Sequence, residues 1–201
     1  MITSSIPFPP ISWWAKAIKA GTITFDVHEF YQKMSYRNRY YLASPNGKTL
    51  MSLPLQSGRN QRIPVAEVKL FNESAWQDNH WKTIVSLYRR SPFFEYFEHE
   101  FAPLFKHEYA YLHDFNIAGI EVVIKLLGLK ISVQHTNVYL KEYTSDVLDI
   151  RHTLKPQEQM MDSTEYYQVF ANRVGFQSDC SILDLLFCEG NYAKEVLMKV
   201  M

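Results

Sequence analysis

The first 26 residues constrain the fold most. Residues 2–6 read as a short strand, followed by a rigid Pro7-Phe8-Pro9-Pro10 turn, and then by Ile11, Trp14, Ala17 and Ile18 at helical spacing. After Gly21, which can cap that helix, comes the alternating, β-branched stretch Thr22-Ile23-Thr24-Phe25-Asp26. This order reads as strand, helix, strand. Two strands joined through a helix pair in parallel, because a tight hairpin cannot connect parallel neighbours. The expected class is α/β: a mixed sheet opening with a strand-helix-strand unit, and a helical C-terminal half.

Further elements follow from punctuation. Residues 39–55 read as a hairpin turning at Asn46-Gly47 in a type I′ turn, with Pro54 making its second strand an edge or ending it. A strand is expected over residues 65–71. Ser74 and Gln77 then form a capping-box pattern before a helix reaching Arg90, with Trp76, His80, Ile84, Leu87 and Tyr88 along one stripe. Ser91-Pro92 restarts the helical pattern, Asp114 can cap a helix ending at Gly128, and residues 131–134 read as another strand. Ser181 and Asp184 repeat the capping-box signature ahead of a helix that Gly190 stops, before a last helix to Met201. Residues 56–61 and 155–163 look like polar loops. With 201 residues and no internal repeat, residues 1–201 are expected to form one domain.

Composition excludes several classes. The 47% hydrophobic and 21% charged content supports a packed core and removes disordered and collagen-like readings. Lys plus Arg and Asp plus Glu are each 21, so the chain is neutral overall, and no RNP-like or zinc-knuckle pattern accompanies its 15% aromatic residues. Nucleic acid is not an expected partner. The most apolar stretch, residues 117–129, is too short to span a bilayer and carries Glu121 and Lys125, so membrane insertion is not expected. The N-terminus lacks the features of a secretory signal, and the expected location is cytoplasmic. Cys180 and Cys188 fit reduced core thiols.

The recognisable chemical motifs are missing. No glycine falls in a dinucleotide or Walker cradle, and no nucleophile elbow, paired C-x-x-C or H-E-x-x-H occurs. Glu95 and His99 lie at i, i+4, which a solvated helix face explains, so no metal site is expected. The sequence names no cofactor.

Charge is unevenly spread. Residues 30–66 contain Lys33, Arg37, Arg39, Lys48, Arg59 and Arg62 but no acid, where about four would be expected. Arg37 and Arg39 project to the same face if both lie on a strand, with Lys33 just upstream. Guanidinium groups bind phosphate through two donors at once, so Lys33, Arg37 and Arg39 are candidate substrate-binding residues. The alternative is that these cations pair with the chain's own acids or protect an edge strand. Asp26 and His28 follow the strand ending at Phe25, and ligands of open α/β sheets bind beyond the carboxyl ends of strands. Either could move a proton, and both are candidate catalytic residues.

An ordered series of blocks runs through most of the chain: Phe8-Pro9-Pro10-Ile11, the segment from Asp26 to Lys33, Ser35-Tyr36-Arg37-Asn38-Arg39, Leu53-Pro54, the segment from His80 to Ile84, the segment from Tyr88 to Tyr96, and that from Ser181 to Phe187. In these blocks the chain resembles the bacterial WbqC-like family. The resemblance implies a role in cell-surface, O-antigen-type polysaccharide biosynthesis, with aminoacyl or acyl transfer to a nucleotide-linked amino sugar. The implied partners are a nucleotide-sugar substrate or an envelope-biosynthesis protein, the latter under the alternative of a noncatalytic assembly role. Other branches of the family open with His-Gln-Pro. This chain has Ser5-Ile6-Pro7 there, so no role for that histidine passes to it.

Overall fold

The strand expected at residues 2–6 forms as the short β1 (Ile2–Thr3), and the chain then enters α1 (Ile11–Ala20), turns at Gly21 and runs back as β2 (Thr22–Phe25). The computed structural model describes residues 1–58, 62–153 and 164–200. An antiparallel pair follows, β3 (Arg39–Ser44) and β4 (Gly47–Ser52). Helices α2 (Trp76–Tyr88), α3 (Phe94–Phe101) and α4 (Leu112–Leu126) come next, then β5 (Ser132–His135). The chain closes with α5 (Ala171–Val174), α6 (Ile182–Glu189) and α7 (Ala193–Lys199).

The main sheet is parallel, in the order β1-β2-β5, with Thr3 beside Phe25 and Phe25 beside His135. A further parallel bridge joins Ile2 to Asp149, with Ile2 N donating to Leu148 O and Ile150 N donating to Ile2 O. Four chain segments therefore end side by side. Ser4, Asp26, Thr136 and Arg151 all sit just beyond those carboxyl ends, and this edge positions the site.

The core is aromatic. Phe8 is buried with a positive φ of 41°, held between two prolines, and its ring meets Tyr40, Phe101, Phe105 and Phe115 at centroid distances of 5.2 to 6.2 Å. Burying a ring of this size stabilises by about 1.5–3 kcal/mol. Ser181 Oγ donates to Phe8 O and Ile182 N donates to Pro9 O, so the start of α6 clamps the proline turn. Behind α1, Trp13 stacks on Phe25 and donates its indole N–H to Thr3 Oγ1 at 3.0 Å. The Asp184 carboxylate of α6 is fully buried, and Tyr88 Oη, Tyr166 Oη and Gln168 Nε2 all donate to it. Burial raises its pKa, and those three hydrogen bonds pull the other way.

Several local expectations are corrected. The hairpin forms, but its two central turn residues are Pro45 and Asn46. Proline fixes φ near −65°, which excludes a type I′ turn, and the positive φ (96°) falls on Gly47 instead. Residues 65–71 are not a strand: Val65–Glu67 is a 3-10 turn, and only isolated bridges at Lys69 and Leu70 follow. The Ser74 and Gln77 capping box does not form, because Ser74 Oγ donates back to Phe71 O and Gln77 Nε2 reaches His107 O. Asp114 lies inside the first turn of α4, whose cap position is Tyr111. Ser181 does cap α6, accepting from Leu183 N, but Asp184 turns inward to its tyrosines rather than closing a box. Both cysteines are free and buried.

Candidate functional site

The carboxyl edge of the parallel sheet carries two polar clusters, joined by Asn116. One consists of ion pairs. Asp26 Oδ2 lies 2.6 Å from Arg151 Nη1, with both side chains fully buried. Asp26 Oδ1 accepts from His28 N, Glu29 N and Thr136 Oγ1, each at 3.1 Å. Arg151 also grips Asp149 at 2.5 Å and donates to the carbonyls of Leu140 and Lys141, while the rings of Tyr139 and Tyr143 lie 5.6 and 4.8 Å from its guanidinium. Its pKa is raised, chiefly by the hydrogen bonds to Asp149. Beside it, Arg37 forks onto Glu29, with Nε to Oε1 at 3.1 Å and Nη2 to Oε2 at 2.5 Å, and Ser4 Oγ donates to the same carboxylate. A long contact of 3.4 Å from Arg37 Nη2 to Arg151 O joins the two pairs.

The second cluster is a chain of three side chains. Ser5 Oγ lies 3.0 Å from His113 Nδ1, and His113 Nε2 lies 3.1 Å from His135 Nε2. Ser5 is 1% exposed, whereas His135, the last residue of β5, is exposed, so the chain runs from the interior to the surface. The ring of Phe25 packs against both imidazoles. Desolvation lowers the pKa of His113 to about 4, helped by its neighbour His135, so this ring is neutral at pH 7. A neutral imidazole has one donor and one acceptor, so proton positions along the chain are ordered in a single direction. Asn116 holds the inner end: its Nδ2 donates to Ser5 O and Arg37 O at 3.1 and 3.0 Å and lies 3.5 Å from Ser5 Oγ. Two facing imidazole nitrogens are also what a metal ion would bridge, but among the described residues no third His, Cys, Asp or Glu joins them.

The sequence candidates are thus divided. Asp26 and Arg37 come together, but inside the protein. The Arg37 guanidinium, expected to reach a phosphate, is only 2% exposed and spends its fork on the chain's own Glu29, while Asp26 is taken by Arg151. Freeing a group held this way would leave an unpaired buried charge. His28 and Lys33 are exposed and Arg39 is half-buried, its Nε buried without a hydrogen-bond partner. Lys48 and Arg62 are exposed, and Arg59 lies outside the described residues. Sequence reasoning missed Ser5, His113, His135 and Arg151. His135 had a signal: it directly follows the expected strand at residues 131–134, as Asp26 ends the one before it. Ser5, His113 and Arg151 had none, because their meeting depends on the sheet, α4 and the segment after residue 148 converging.

The WbqC-like protein family matches residues 6–163, most of the chain and all of this edge except Ser4 and Ser5. The chain belongs to that family. No curated protein and no solved structure matches it. Membership is consistent with a role related to polysaccharide biosynthesis. Among the described residues, no helix is long and apolar enough to cross a membrane.

Proposed function

We propose that this WbqC-like protein is a transferase of cell-surface, O-antigen-type polysaccharide biosynthesis, moving an aminoacyl or acyl group to a nucleotide-linked amino sugar. The observation that carries this reading is the hydrogen-bonded chain from buried Ser5 through His113 to exposed His135 at the carboxyl ends of parallel strands. Amide formation needs a base at the surface to remove a proton from the attacking amine. In the tautomer where His135 donates from Nε2 to His113, and His113 donates from Nδ1 to Ser5 Oγ, the Nδ1 lone pair of His135 is left for that task. The amine nitrogen then bonds to the carbonyl carbon of an acyl ester or thioester. The bond to the leaving oxygen or sulfur breaks with its electron pair, and the amine proton passes to His135.

In this reading Asp26 is a positioning residue, because it holds Thr136, the neighbour of His135. Arg37 and Glu29 form the floor through Ser4 and Asn116. His28 stays a candidate catalytic residue, and Lys33 and Arg39 are the residues assigned to the diphosphate. The test is product formation, read by mass spectrometry, from purified protein, a nucleotide-linked amino sugar and an activated acyl donor. His135→Ala is expected to lower kcat by about 10²–10⁴-fold. An unchanged rate in that variant, or neither product nor calorimetric binding with any nucleotide sugar, would refute the assignment. Stoichiometric recovery of an envelope-synthesis protein without turnover would favour the noncatalytic role instead.

A further inference from the structure

A second cationic feature lies away from the acid-free stretch, and none of its residues belongs to the sheet-edge clusters. Along α2, Lys82, Val85 and Arg89 follow one another at i, i+3 and i+7, on one face of the helix. With Arg90 and Trp81, and with Phe170 from the segment before α5, they line a cavity of about 510 Å³. That size lies within the range of small-molecule sites. Its wall contains three cations and no acid. Lys82, Arg89 and Arg90 are all exposed, and among the described residues none of them makes a side-chain ion pair or hydrogen bond. Asp78, one turn before Lys82, stays beyond ion-pair distance.

Other exposed cations, Lys19, Lys106 and Lys130 among them, are also without an ion pair, so what marks the end of α2 is the gathering of three cations around one cavity. Cations in the last turn of a helix complement its dipole. That accounts for one cation near the helix end. It does not account for three around a cleft with an apolar wall. The Trp81 ring is held in place by stacking on Phe94 and Phe105, at interplanar angles of 28° and 29°. A fixed aromatic and apolar wall beside two guanidinium forks and an ammonium matches a ligand with a flat ring system at one end and phosphoryl oxygens at the other.

We propose that this cavity binds a nucleoside diphosphate, with Arg89, Arg90 and Lys82 on its phosphates and Trp81, Val85 and Phe170 against its base and ribose. The site requires neither His135 nor a transfer reaction.

The probes are UDP, ADP and inorganic pyrophosphate, titrated by calorimetry into the full chain, with tryptophan fluorescence as a second readout. Arg89→Ala combined with Arg90→Ala is expected to weaken UDP or ADP binding by on the order of tenfold or more. Lys33→Ala with Arg39→Ala, the pair assigned to the diphosphate in the transferase reading, is expected to remove only nucleotide binding at the sheet edge and to leave in place the binding that Arg89→Ala with Arg90→Ala weakens. Circular dichroism checks that both variants are folded. Pyrophosphate is expected to bind more weakly than the nucleotides, because it offers nothing to the apolar wall. The proposal would be overturned by no binding of either nucleotide at millimolar concentration, by equal binding in both double variants and the parent chain, or by pyrophosphate binding as tightly as UDP and ADP. Loss of binding only in the Lys33 and Arg39 variant would place the nucleotide at the sheet edge, which refutes this site while leaving the transferase reading standing.

Discussion

Replacing Arg151 by Met tests the framework of the sheet edge most directly. The guanidinium is fully buried and bonds Asp26 at 2.6 Å, Asp149 at 2.5 Å and the carbonyl of Leu140 at 2.8 Å. Methionine keeps much of the stem volume and removes every one of those donors. The Asp26 carboxylate then keeps only Thr136 Oγ1 and two backbone N–H groups, all at 3.1 Å, and no countercharge. Breaking a buried pair by removing one partner costs about 3–5 kcal/mol, most of it from the charge left behind. With a urea slope near 2 kcal/mol per M, the unfolding midpoint followed by tryptophan fluorescence should fall by about 1.5–2.5 M. Asp26→Asn combined with Arg151→Met should be more stable than Arg151→Met alone, because it removes the orphaned charge. A loss below about 1 kcal/mol in the single variant, or a double variant less stable than the single, would refute this account of the pair.

Three further outcomes are expected. His80 is buried against Tyr40 Oη, and desolvation lowers its pKa to about 4 from 6.5. The unfolded chain therefore takes up a proton first, and stability present above pH 6.5 is lost as the pH falls toward 4, at about 1.4 kcal/mol per unit for this ring. His113, whose pKa desolvation also lowers to about 4, acts in the same direction, while the raised pKa of Asp184 acts oppositely near the acid end. Urea midpoints at pH 7, 6 and 5 should show a shallower fall in His80→Gln than in the parent chain, and parallel curves would contradict the assignment. Gly190→Ala would place a Cβ 2.4 Å from Phe93 Cδ1 at a φ of 59°, so backbone strain and overpacking together should cost at least about 2 kcal/mol by urea unfolding; a neutral variant would show that the α6 terminus yields easily. Burial raises the pKa of both Cys180 and Cys188, so the two thiols should react with Ellman's reagent only on unfolding, and rapid labelling of the native protein would show that α6 opens.

Chemistry carried within a few residues was legible in the sequence. The span of α1 and the parallel pairing of β1 with β2 follow from an apolar period, a proline turn and one glycine. Position 45 shows how a single residue decides a local detail: proline forbids the positive φ that a type I′ turn needs, although the hairpin itself stands. The capping-box pattern at Ser74 and Gln77 failed because both side chains turn away from the helix start, Ser74 Oγ donating to Phe71 O and Gln77 Nε2 to His107 O.

By itself the sequence determined the α/β class, the family and the position of Asp26 at a strand's end. Only the tertiary structure decided that Arg37 would be consumed by Glu29, eight residues away, and Asp26 by Arg151, 125 residues away. It also decided that Ser5, His113 and His135 would line up. The physical reason is the cost of burying charge: an acid-free stretch suggests an outside anion only while its cations stay at the surface. Once the sheet edge closes over a guanidinium, the nearest carboxylate of the same chain must neutralise it.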